Sequence, residues 1–166
     1  MDIDINQLII PAARKGELEV LRELVRQGAN LETRDEKGYT PLIIACYNNR
    51  YEAVKLLLDA GADVNGADAG GNTALMGAAF KGYNNIAGLL IAHGADLNAR
   101  HGNGGTALMF AVTFGRNDLV KLLLANGADI AIREKNGYTA LDLALQQNNG
   151  EAIQLLSASK IESNGE

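Results

Sequence analysis

DEKGYTPLIIACYNNRYEAVKLLLDAGADVNGA, residues 35–67, is the stretch whose reading decides the fold. Thr40-Pro41 reads as an N-cap followed by proline at the first helical position. The short helix that follows stops at Asn49, a residue type that tolerates a left-handed C-cap. A second helix carries the apolar stripe Leu56-Leu57-Leu58. Glu52 stands near its start, where the helix dipole favours an acid. Gly61-Ala62 closes it, and Asp63 opens an extended finger. The stretch therefore reads as helix, tight turn, helix, finger.

The same design recurs on both sides. Gly28, Gly61, Gly94 and Gly127 lie 33 residues apart, each followed by alanine. DAGGNTALMGAAFKGYNNIAGLLIAHGADLNAR spans 68–100, and HGNGGTALMFAVTFGRNDLVKLLLANGADIAIR spans 101–133. EKNGYTALDLALQQNNGEAIQLLSASK, 134–160, lacks the final turn. INQLIIPAARKGELEVLRELVRQGANLETR, 5–34, lacks the first. Thr73, Thr106 and Thr139 repeat the N-cap. Gly16, Gly82, Gly115 and Asn148 repeat the C-cap of the first helix. A chain that repeats at this period is a stack of small units, and its usual work is to hold another macromolecule.

The units at each end carry polar outer residues, among them Arg14, Lys15 and Glu17 in the first and Gln146, Gln147 and Lys160 in the last. Such capping is what a stack needs. The whole chain, 1–166, is expected to form one domain, with 161–166 as a frayed tail. Gly77 and Gly88 fall inside predicted helices of the third unit, so that unit is expected to be the weakest.

Composition narrows the function. The chain is 47% hydrophobic and 21% charged, which is the range of an ordinary folded protein. A formal charge of −5 without a long basic run argues against nucleic acid. No apolar stretch approaches the length of a membrane helix, and MDIDINQLII starts acidic, unlike a secretory signal. The single cysteine, Cys46, precludes an internal disulfide and fits a reducing, cytoplasmic compartment. It aligns with Ala13, Ala79, Val112 and Leu145, and so reads as a packing position between helices. His93 and His101 lack partners at metal-ligand spacing. GNGGT at 102–106 and AGGNT at 69–73 lack the lysine of a phosphate loop and read as finger turns. Neither a cofactor nor a metal is expected, and no catalytic residue is singled out.

The TPLIIA at 40–45, the TAL starts and the GADVN and GADLN junctions, all in register, resemble the ankyrin repeat. The resemblance covers roughly residues 5–160. It implies an all-α solenoid of five helix-turn-helix units with projecting β-turn fingers and a concave groove. In one respect the sequence departs from the family: where a histidine usually follows the TPL element, Ile43, Met76, Met109 and Asp142 stand here. Apolar packing is expected to replace the hydrogen bonds that the histidine makes.

The resemblance also implies a binding surface, on the finger tips and the exposed side of each first helix. By register the expected partner-binding residues are Tyr39, Tyr47, Asn72, Phe80, Lys81, Phe114 and Tyr138. Five of the chain's eight aromatic residues fall among them. Phe110 aligns with Ile44 and Leu143 and is expected in the core. The plain alternative is that Tyr39 and Tyr138 pack between fingers, and Phe80 and Phe114 against the next helix. Charged fingers, from Arg34 to Lys37, at Arg100 and His101, and from Arg133 to Lys135, would give a polar rim. The function implied is non-catalytic binding of a protein partner by a monomeric module. A regulatory or inhibitory subunit of an enzyme, or a bacterial effector, would use the same surface.

Overall fold

A computed structural model of the protein describes residues 2–164. Ten helices lie among them: α1 (Ile5–Lys15), α2 (Leu18–Arg26), α3 (Pro41–Tyr47), α4 (Tyr51–Asp59), α5 (Ala74–Lys81), α6 (Asn84–Ala92), α7 (Ala107–Thr113), α8 (Asn117–Ala125), α9 (Ala140–Gln146) and α10 (Gly150–Asn164). Each odd-numbered helix packs on the next odd one, and each even helix on the next even one. The result is two rows of helices, with the fingers projecting beside the odd row.

The sequence accounts for these elements. The hydroxyls of Thr40, Thr73, Thr106 and Thr139 accept from the amides of Ile43, Met76, Met109 and Asp142. Each satisfies a donor that the first turn leaves open. At the other end of α3 and α5 the chain turns through left-handed backbone at Asn49 (φ 59°) and Gly82 (φ 79°). The core lies between the rows, in layers of buried Leu42, Leu75 and Leu108 facing Leu57, Leu90 and Leu123. Each such leucine contributes about 1.5–3 kcal/mol relative to an exposed one.

Polar ties link successive repeats. The amides of Asp63, Asp96 and Asp129 donate to Oε1 of Glu32 (2.9 Å), Oδ1 of Asn65 (2.7 Å) and Oδ1 of Asn98 (2.8 Å). A second set caps the odd helices. Arg50 Nε donates to the Arg14 carbonyl (3.0 Å), Arg116 Nε to that of Phe80 (3.2 Å), and Asn149 Nδ2 to that of Val112 (3.2 Å). Tyr83 holds the corresponding place in the third repeat. Its half-buried ring packs on the core, so the second set is interrupted there.

The family histidine is indeed replaced mainly by packing. Ile43, Met76 and Met109 are buried. Two of the four also cap their helix: Met76 Sδ accepts from the Thr73 amide at 3.5 Å, and Asp142 Oδ2 accepts from the Thr139 amide at 2.9 Å, each closing a capping box. The second of these hydrogen bonds holds the Asp142 carboxyl below the usual range.

Two expectations are corrected. Residues 161–164, set apart above as a frayed tail, continue α10, while residues 165–166 lie outside the described residues. The apolar position shared by Cys46, Ala13, Ala79 and Val112 is fully buried, yet Leu145 is 57% exposed. Among the described residues no later helix packs on the outer side of α9, so a side chain with the same register meets solvent.

Candidate functional site

The odd helices present their C-terminal ends to one side, and three aromatic rings line up there. Tyr47 ends α3, Phe80 lies in the last turn of α5, and Phe114 caps α7. Tyr47 and Phe80 are 33 positions apart, one full period, and their rings are nearly parallel at 6° with centroids 6.3 Å apart. Phe114 comes one residue later than the period would place it. Its ring meets Phe80 edge-on, at 79° and 4.6 Å. Such pairs contribute about 0.5–1.5 kcal/mol beyond their buried area, which fixes the rings before anything binds. Lys81 Nζ stands 4.6 Å over the Tyr47 ring. Tyr47 and Phe114 remain 46% and 45% exposed.

Beside this row lies a hollow of about 510 Å³ between α3, α5 and two fingers. Gly77 forms part of its wall, with Ile44, Tyr47, Phe80 and Phe110 around it and Tyr39, Lys37, Asp68 and Asn72 on the finger side. The register explains the space. Where the third repeat has Gly77, the others have Pro11, Ile44, Phe110 and Leu143. A missing side chain in one repeat, flanked by large ones, leaves a recess. A smaller hollow of about 200 Å³ lies between Phe110, Phe114, Thr113 and Leu143. Phe110 is common to both. It is half-buried: it packs against the core, as its register suggests, and turns part of its ring to the two hollows. The alignment signal that could have found it was the glycine one repeat earlier.

The structure places the remaining expected residues as follows. Tyr39 lines the larger hollow and also packs on the core, so part of the plain alternative holds for it. Asn72 lines the hollow, but its amide nitrogen contacts both carboxylate oxygens of Asp68 at 3.2 Å and braces the finger. Tyr138 is 41% exposed and lines neither hollow. Tyr47, Phe80, Lys81 and Phe114 come together; Tyr138 stands apart. Much of the charged rim is structural. Oδ1 of Asp35 accepts from the amides of Lys37 and Tyr39 (both 2.9 Å), and Oε1 of Glu134 from those of Asn136 and Tyr138 (2.8 and 3.0 Å). Arg34 and Arg133 donate to the carbonyls of Gly38 and Gly137 (both 2.8 Å).

The other candidates settle into the scaffold. Cys46 is fully buried, and burial pushes its thiol well above the ordinary range. The Nδ1 of His93 lies 2.9 Å from the Leu89 carbonyl and its Nε2 3.3 Å from Asp59. His101 is a finger residue whose ring tilts against Phe110 at 5.2 Å. The finger amides that a phosphate would need are already engaged: Gly70 N–H donates to Asp68 Oδ1 (2.8 Å), and Gly102 N–H to the Gly70 carbonyl (2.9 Å). No helix among the described residues is long and apolar enough to cross a membrane.

Comparison with known families agrees with this architecture. The model of ankyrin repeats in three copies matches residues 9–101, more than half of the chain, and that of ankyrin repeats in many copies matches residues 90–144. The chain belongs to the ankyrin-repeat family, whose members are generally protein–protein interaction modules. No curated protein matches the sequence.

Proposed function

We propose that this chain is a non-catalytic module that binds a partner protein through the groove between its odd helices and its fingers. The observation that carries the reading is the row Tyr47, Phe80 and Phe114, braced ring against ring, with a half-buried Phe80 between two rings left open to solvent. Large, rigid side chains lose little entropy on docking, and a surface already held in place needs little ordering. Cys46, a lone buried thiol, fits a reducing, cytoplasmic setting.

Capture from the native source with wild type and with Tyr47→Ala/Phe80→Ala/Phe114→Ala tests the proposal. The expected outcome is a partner held by wild type and weakened by about 30-fold or more in the triple variant, the loss typical of a hot-spot cluster. Unchanged helical circular dichroism would show that the variant still folds. A partner retained equally by both proteins would move the site to the fingers or the even-helix face.

A further inference from the structure

We infer that the groove takes an acidic segment of its partner, which inserts an apolar side chain beside Gly77. This rests on the groove reading above and adds the chemistry of the occupant.

The first observation is shape. The hollow at Gly77 has a volume of about 510 Å³, within the range of clefts that receive ligand groups, and apolar or aromatic side chains make up much of its wall. Gly77 keeps it open at a cost to α5, since glycine within a helix is about 1 kcal/mol less favourable than alanine. Packing does not require the glycine. Its φ is ordinary, and an added Cβ would meet only Tyr47 Cδ2, at 3.7 Å.

The second observation is charge. The chain has a formal charge of −5, yet the odd helices carry Arg14, Lys15 and Lys81 and a single carboxylate, Asp142, which is engaged in capping Thr139. Arg14 and Lys37 line the hollow, and neither has an ion-pair partner among the described residues. Asp68 also lines it, but Oδ1 accepts from the amides of Gly70 and Asn72 (2.8 and 2.9 Å) and both its oxygens face the Asn72 amide. The groove therefore offers two free cations beside an apolar recess, on a protein that is otherwise negative. Carboxylates flanking an apolar side chain complement that pattern. Single-stranded nucleic acid fits less well. The rings contact one another and Lys81 covers one face of Tyr47, whereas a stacking platform keeps its faces free for bases.

The test pans random linear peptides displayed on phage against the full chain. Selected peptides are then measured by fluorescence anisotropy against wild type, Gly77→Ile and Arg14→Glu/Lys37→Glu. The expected motif is an apolar residue with aspartate or glutamate beside it. Its affinity should fall by about tenfold or more in Gly77→Ile, which fills the recess, and by a similar factor in the charge-reversed variant. The second variant alters only surface side chains, so the result does not hinge on how Gly77→Ile folds. Motifs without acids that survive both changes, yet are lost in the Tyr47/Phe80/Phe114 triple variant, would overturn this inference and leave the groove reading intact. Motifs indifferent to every variant would overturn both. Absence of any enriched motif, or an oligouridine that binds more tightly than any peptide, would overturn the inference as well.

Discussion

Gly88 sits in the middle of α6, at the position that Lys55 and Lys121 hold in the repeats on either side. A Cβ added there would meet no atom within 4 Å, and its backbone is not left-handed. Gly88→Ala therefore gains helix propensity without a clash. It should stabilise the protein by about 0.5–1 kcal/mol, read as a higher midpoint in thermal unfolding. Gly77 is equally replaceable by geometry but differs in place, since it opens onto the groove where Gly88 opens onto solvent. The sequence alone marked both as helix glycines and gave no means of telling them apart. Separating them required the fingers, which come from distant parts of the repeat and close the recess around Gly77. Phe110 was half legible: its register gave the packing against the core, but not the part of its ring that lines the hollows.

Among the elements, the third repeat combines several weaknesses. α5 and α6 each contain a glycine, α6 has no acid in its first turn, and Tyr83 interrupts the side-chain ties that Arg50, Arg116 and Asn149 make elsewhere. Amides of α5 and α6 should exchange with solvent faster than those of α3, α4, α7 and α8. Hydrogen exchange resolved by repeat would show this, and best protection in the third repeat would refute it. The helices themselves were legible because caps and apolar stripes recur at fixed positions: Thr73 at the start of α5 and Gly82 at its end do what Thr40 and Asn49 do for α3. The rim was less legible. Asp35 and Glu134 look like free finger charges in a sequence, but their oxygens hold the turns together. Only the turn geometry reveals that their hydrogen-bonding capacity is already used.

For the molecule as a whole, stability is a sum over repeats and the contacts between them, so one weak member limits how far the stack unfolds as a unit. Strengthening that member should tighten the coupling. In urea, the Gly77→Ala/Gly88→Ala variant should unfold with a higher midpoint and a slope at least as steep as wild type. A shallower slope would place the weak junction elsewhere. The aromatic row has another consequence at this scale. The backbone repeats every 33 residues, but Phe114 falls one residue late, so one pair of rings lies parallel and the next meets edge to face. A regular stack thereby acquires an irregular ruler. If a partner segment binds there as proposed, one that slipped by one repeat, or lay in the opposite direction, would meet a different relief, so the row would confer both a reading frame and a polarity on it.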